Sequence, residues 1–565
     1  NMEILLFIFP LLIFFIFQFL EKFKKTKLLF VLHSAFMGST FIISIFIFLK
    51  LLNFDNDLPL YFYSILKLEH FLIDWSLRLD LFVSVLIIII TFFATIFTIY
   101  LISIYEENKF DLKIIKNSSL SIFGILTLVS SNNLIQLFVG WQIIIMSSYF
   151  FINHSKKQMD SNDKDLVFLY NRLSDLGIFL CLFFLYSYTN SVNFDVIFES
   201  NYLETKNKFI LFDLEISSFE LILFILFLSF LLRCRQFFKQ SSIYYFLKNK
   251  HSTFALLFSG IYLPSGIYFL LRFLPLIQSS YHFFNIITLL GLIITIIFTL
   301  LFYTSRDLKS LAFYIASSQF GIIIFLIGLK AYNGALFYLL TSTLSLTMLF
   351  LCFAIIMIKL NGEHQINKMG SLLTKTPSTF LFILISSLSL IGVPFFSGFY
   401  SKTLIFSLIL PFNEIFIFFL IMIYFCYIFL LSYTLFKNML IVFLCQNNCN
   451  IHLYNKIDEK MFLTKTILFI LAIFLIFSGW FLNNLFSSSN SEYLWNLALN
   501  INENFSMEYE YETHNWFAKI VNIICISSLL LSIFNYVVIP KIGNYVKIKR
   551  NKLFKKYSAY LALNR

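Results

Sequence analysis

Apolar windows of about 20 residues recur from one end of the chain to the other, each long enough to cross roughly 30 Å of hydrocarbon as a helix. A helix satisfies every backbone polar group inside its own segment, so helices are the spanning unit these windows predict. The pattern resolves into fifteen spans, centred near residues 11, 40, 92, 124, 144, 177, 224, 263, 293, 318, 345, 390, 428, 474 and 528. The window from about 378 to 410 is too long for one straight crossing. Gly392, Pro394 and Gly398 interrupt it, in the stretch GVPFFSGFYSKT at 392–403, and predict a discontinuous helix there. The first residues, NMEILLFIFP, lack a basic start and a small-residue cleavage site, so they are read as the first span rather than a removable leader.

Composition removes the soluble classes. The chain of 565 residues is 59% hydrophobic and 13% charged, with mean hydropathy +0.84, and the expected fold class is an all-α polytopic membrane protein of about 15 transmembrane helices. Seven cysteines, mostly single within spans, argue against a disulfide framework. Cys445, Cys449 and His452 fall in one loop; a metal site is conceivable there, and a chance cluster is the better reading. The 77 phenylalanines, with abundant Ile, Asn and Lys, fit AT-rich codons and hint at an organellar genome.

The net charge of +12 would suggest nucleic acid in a soluble protein, so its distribution decides the matter. Loops around 21–27, 105–116, 154–165, 233–250, 306–309, 359–375 and 437–465, with the tail from 541, hold 32 Lys and Arg against 11 Asp and Glu. The opposite side holds 7 against 18. The positive-inside rule then places the first set in the cytoplasm or matrix, the N-terminus outside and the C-terminus inside. Dispersed in this way, the basic residues are topology signals, and no nucleic-acid partner is expected. Only KIKRNKLFKK (547–556) is dense, and it suits a lipid headgroup or a subunit contact. The acidic SMEYEYETHNW (506–516) is read as a solvated outer loop.

Four ionisable residues remain inside spans: Arg172, Asp175, Arg272 and Lys402. Such residues are costly in hydrocarbon and are functional candidates by default. Arg172 and Asp175, three apart in YNRLSDLG, share a helix face and can pair, whether for structure or for transport. Arg272, toward the outer end of its span, is expected to snorkel. Lys402 follows a helix break that would free backbone carbonyls near mid-membrane, and a lysine in such a gap could load and release a proton.

At these residues the chain resembles the antiporter-like membrane subunits of respiratory NADH dehydrogenase, complex I, and within them the subunit 5 family. LIGVPFFSGFYSK looks like that family's broken-helix motif. The likeness continues in order through LRLDLFVSV with Asp80, NNLIQLFVGWQ with Trp141, FLYNRLSDLGIF, SGIYFLLRFLPL, SRDLKSLAFYIASSQFG with Lys309, KAYNGALFYLLT and KMGSLLTKTPSTF. Subunits 2 and 4 and the bacterial multisubunit cation/proton antiporters share the fold. The resemblance implies N-terminal helices over 1–110, a first inverted five-helix repeat over 111–275, and a second over 276–440 with the broken helix at 392–398. Two last spans and a basic tail fill 441–565, where the family's lateral helix is expected to be short, absent or supplied by another chain. It also implies the mitochondrial inner membrane, with the N-terminus in the intermembrane space and the C-terminus in the matrix.

The proton-path positions carried over are Lys402, Arg172, Asp175, Arg233, Gln142 and Lys309, and several depart from the family. Gln142 stands for a Glu, and Arg233 for a Lys, with Arg235 or Lys239 as displaced equivalents. Phe258 stands for a His, Leu346 for the central Lys of its span, Ser342 for a His and Thr403 for an Asp. Each of these changes but Arg233 removes a titrating group outright, and a guanidinium stays protonated. The favoured expectation is therefore a scaffold that keeps the fold and its place in the complex; an active pump using Lys402 and a stand-alone cation/proton antiporter component are the alternatives. No redox centre is expected in this chain, which has no Gly-rich dinucleotide loop, iron–sulfur spacing or haem-type His pair. NADH, FMN, iron–sulfur clusters and ubiquinone would belong to partner subunits. The implied partners are other membrane-arm subunits, the antiporter-like subunit 4 neighbour and its lateral-helix contacts, accessory subunits, and lipids such as cardiolipin.

Overall fold

The computed structural model describes residues 2–20, 27–53, 58–68, 71–105, 112–154, 161–199, 208–211, 214–234, 263–278, 281–409, 414–449, 451–459, 462–487, 495 and 513–538. Within them the chain runs α1 (Met2–Leu20), α2 (Lys27–Asn53), the hairpin β1 (Leu58–Leu68) and β2 (Phe71–Leu79), and α3 (Leu81–Tyr105). Next come α4 (Leu112–Val129), α5 (Leu134–His154), α6 (Ser161–Thr189), the short α7 (Phe194–Glu199), a second hairpin of β3 (Lys208–Leu211) and β4 (Leu214–Ser217), and α8 (Ser218–Cys234). The second half is α9 (Leu263–Arg272), α10 (Leu274–Gln278), α11 (Tyr281–Thr304), α12 (Leu308–Gly328), α13 (Tyr332–Lys359), α14 (Pro377–Ile391), α15 (Ser397–Ile409), α16 (Glu414–Met439), α17 (Ile451–Lys456), α18 (Phe462–Ser487) and α19 (Thr513–Ile533).

The architecture is a polytopic helical membrane bundle. Ten helices among the described residues are long and apolar enough to cross a membrane, and three shorter apolar helices cover 134–150, 220–232 and 377–391. Every expected span centre falls on a helix, that at 263 on the first residue of α9, so the positions match while this length criterion does not establish a count of fifteen. α12 and α13 are buried almost throughout and form the axis of the second half, whereas α1, α2, α6, α11, α18 and α19 show exposed apolar faces suited to lipid or partner helices.

The two hairpins were not anticipated. In the first, β1 and β2 pair antiparallel from Leu58↔Leu79 to Leu68↔Phe71, with irregularities near Tyr61–Tyr63 and Ser64–Leu66. It brings Leu77 against Ser131, at the α4–α5 turn, while Asn133 of that turn bridges to Asn193 before α7. One end of the bundle thus gathers the links at 74–80, 130–133 and 190–195. The other gathers 303–309, 359–376 and 437–459: Asp307 bridges to Gln365, the Ile366 N–H donates to Arg306 O (2.9 Å) and the Leu308 N–H to His364 O (3.0 Å). At that same end Glu459 caps α14, accepting from the backbone of Ser378 (3.3 Å) and Thr379 (3.2 Å) and from the Ser378 hydroxyl (2.8 Å).

Candidate functional site

The break between α14 and α15 is a helix stop with a definite hydrogen-bond pattern. Gly392 adopts φ +89°, its N–H reaching Ser389 O (3.1 Å) while the Val393 N–H reaches Leu388 O (3.1 Å). This Schellman-type ending satisfies two terminal carbonyls and leaves those of Leu390 and Ile391 for another donor. Lys402, on the second turn of α15, supplies it: Nζ donates to Leu390 O (2.5 Å) and Ile391 O (3.3 Å). A cation at a helix C-terminus also meets the negative end of the helix dipole. The glycines are needed sterically. A Cβ on Gly392 would lie 2.8 Å from Lys402 Cδ, and one on Gly398 would lie 1.9 Å from Ser389 O. The discontinuous helix expected at 392–398 is present.

Around the amine lies a seam of uncharged polar groups. Tyr427 of α16 presents its ring 5.5 Å from Lys402 Nζ, and the Tyr424 hydroxyl donates to Lys402 O (3.4 Å). Gln319 of α12 donates to the Tyr427 hydroxyl (2.5 Å) and accepts from the Tyr338 hydroxyl of α13. Thr341 and Ser401 share a hydrogen bond of 2.8 Å, and Ser389 and Ser397 one of 3.2 Å across the break. Lys402 is fully buried, and among the described residues no carboxylate pairs with it. Sequence reasoning found Lys402 by its charge and missed Gln319, Tyr338 and Tyr427, which carry none and come from three separate helices.

The first half brings together Gln142, Asp175 and Arg172. Gln142 Nε2 of α5 donates to Asp175 Oδ1 of α6 (2.9 Å), and Arg172 Nη1 donates to Asp175 Oδ2 (3.3 Å). The pairing expected from the three-residue spacing is present, with Gln142 as a third member contributed 33 residues earlier. Asp175 is buried and the Arg172 side chain largely exposed, its guanidinium 5.0 Å from the Phe168 ring centre. Trp141 packs edge-on to Phe269 at 6.0 Å.

Arg272 does not snorkel. Its side chain is 4% exposed, and Nη1 donates to Asp80 Oδ2 (2.6 Å); Asp80 also accepts from Arg78 Nε (3.0 Å), and Arg78 pairs in turn with Asp195. The partner lies 192 residues away in sequence, so local pattern gave no sign of it. Elsewhere, Lys309 is buried in the first turn of α12 at the opposite end of the bundle from this network. Leu346, Ser342 and Thr403 are buried. Lys437, assigned to a loop by its charge, is instead buried in the last turn of α16, donating to Tyr303 O (3.4 Å). Arg233 belongs to the last turn of α8. Arg235, Lys239, Phe258, the 506–512 part of the acidic loop and the basic tail lie outside the described residues.

The broken helix with its captured lysine, in a bundle of this kind, matches the expected resemblance. The family pattern described as "NADH:quinone oxidoreductase/Mrp antiporter, TM" matches residues 131–426, more than half the chain. The chain belongs to this antiporter-like membrane family. Similar proteins include NADH-ubiquinone oxidoreductase chain 5 of Acanthamoeba castellanii, 27% identical over 568 residues, which takes in 99% of this chain and 83% of that one. Chain 5 of Chondrus crispus is 27% identical over 452 residues (79% and 68%). NADH-quinone oxidoreductase subunit L of Rickettsia typhi is 29% identical over 341 residues (60% and 52%). The antiporter-like core thus accounts for the α5–α6 cluster and the Lys402 site alike, since both fall inside the matched segment.

Proposed function

We propose that this chain is a membrane-arm subunit of an NADH:ubiquinone oxidoreductase that retains the antiporter-like fold and does not complete a proton path. The observation that carries the reading is α13. It touches α15, the Lys402 helix, on one side and α9 of the first half on another. From Tyr332 to Met357 it carries no lysine, arginine, histidine or carboxylate, and Leu346 at its centre is fully buried. Relay across such a junction requires groups that exchange protons near working pH. Serine, threonine and glutamine do not ionise there. The amide of Gln142 in place of a carboxylate supports the same reading at the other cluster.

The relatives' names support membership of the complex, in which NADH oxidation and quinone reduction would fall to partner subunits. The charge asymmetry supports an N-terminus in the intermembrane space and a C-terminus in the matrix of the mitochondrial inner membrane. One feature favours the alternative of an active module: Lys402 sits buried, without an acidic partner among the described residues, amid a hydrogen-bonded polar seam. The two readings separate in sealed vesicles containing the purified complex. The expected proton yield per NADH is lower, by one module's share, than that of a related complex whose subunit 5 carries the titrating set. An equal yield would overturn the scaffold reading in favour of an active module in which Lys402 acts with further groups.

A further inference from the structure

At the end of the bundle that gathers 74–80, 130–133 and 190–195, several buried polar atoms find no protein partner among the described residues. Arg272 donates from Nη1 to Asp80, while its Nε and Nη2, the side-on edge of the guanidinium, donate to no acceptor. The same holds for both side-chain polar atoms of Gln136, which is 1% exposed in the first turn of α5, and for Asn193 Oδ1. These groups converge. Asn133 Oδ1 accepts from the Gln136 N–H (2.7 Å), and the backbone of Asn133 bridges to Asn193. The Arg272 guanidinium lies 5.5 Å from the ring centre of Phe194, the next residue along. We propose that the Nε–Nη2 edge of Arg272, the Gln136 amide and Asn193 Oδ1 hold a small cluster of ordered waters.

Buried polar groups are nearly always paired, and orphaned ones point to water or an ion. The chemistry of this set chooses water. Arg78 and Arg272 are already met by Asp80 and Asp195, so the ligand is neutral. Arg272 offers donors, Asn193 Oδ1 an acceptor and Gln136 both. An anion would leave the two amide oxygens unpaired, and a cation would face the guanidinium. Water donates and accepts, and a buried water takes about two to four polar partners, which these groups supply. Asp195, whose side chain is 50% exposed, opens the cluster toward the aqueous phase at this end. Its inner limit is aromatic: Phe194 meets Phe273 edge-on at 5.8 Å, Phe273 lies 4.8 Å from Phe269, and Phe269 lies 6.0 Å from Trp141. Trp141 falls between Gln136 and Gln142 along α5, so the wet region stops short of the Gln142–Asp175 pair. The site is independent of whether the chain moves protons.

The test is X-ray radiolysis of the native complex, which turns bound water into hydroxyl radical and hydroxylates the side chains beside it, with a bulky scavenger consuming radicals formed in bulk. Phe194 and Phe273 are expected to be hydroxylated well above Phe227 and Phe350, which are as fully buried, while the exposed Val196 is protected by the scavenger. Gln136→Met keeps the side-chain volume and removes the amide. It is expected to lower the Phe194 and Phe273 yields toward those of Phe227 and Phe350, with Val196, read without scavenger, unchanged as a report that this end keeps its fold. Yields at Phe194 and Phe273 no higher than the two reference rings in the unmodified complex would overturn the assignment, whether or not the variant assembles. So would yields that Gln136→Met leaves unchanged, or yields that rise only after small anions are dialysed away, the result expected of a bound anion.

Discussion

At the Lys402 site it is the absence of a side chain that decides what can be tolerated. A methyl group at Gly398 would fall on the carbonyl oxygen of Ser389, which is helix backbone and cannot swing away. Gly398→Ala is therefore expected to cost about 1–3 kcal/mol or more by overpacking, seen as less assembled complex and a lower melting temperature. Gln142 poses a different question, because its amide donates to Asp175. Gln142→Glu would replace the amide donor by a second acceptor facing Asp175, with Arg172 as the cation paired to that carboxylate. The expected result is a lower melting temperature of the assembled complex; an unchanged one would mean that the two groups separate. Such residues were legible in the sequence where they carried charge or broke a helix, as with Lys402, Asp175 and Gly392. Tyr427 and Gln319 were not, because a neutral polar residue in a span stands out only when its partner is known.

At the scale of elements, the Asp80 network ties β2, α3, α7 and α9 together. Asp80 is shared by two buried guanidinium groups, so Asp80→Asn would leave positive charge buried without compensation. Breaking a buried pair from one side costs about 3–5 kcal/mol. The expected result is loss of the chain from the assembled complex on native gels, while Asp80→Glu, which keeps the charge, should retain most of it. Helices were legible because membrane spans write their length and polarity directly into the sequence. The hairpins were not, because their strands were absorbed into what read as outer loops, and β1 pairs with β2 through the backbone. For the same reason Arg272 was misjudged: the element that receives it begins where the first hairpin ends.

For the whole molecule, the charge-based sides and the observed ends coincide. The links at 74–80, 130–133 and 190–195, all on the acid-rich side, meet at one end; 303–309, 359–376 and 437–459, on the basic side, meet at the other. Grouping was thus legible without coordinates, because each span reverses direction and topology follows by alternation. Which end faces the matrix rests on the positive-inside rule and can be measured with single cysteines. Val196 on α7 and Lys368 are exposed at opposite ends. With a membrane-impermeant maleimide, Val196→Cys should label in mitoplasts and Lys368→Cys only in inverted inner-membrane vesicles; the reverse pattern would overturn the orientation. Native Cys445 and Cys449 share the Lys368 side, but burial raises both thiols above their ordinary range. The thiolate is the reacting form, so near neutral pH their background is slow. It should rise with pH in inverted vesicles alone, which gives a second reading of sidedness from residues the chain already has.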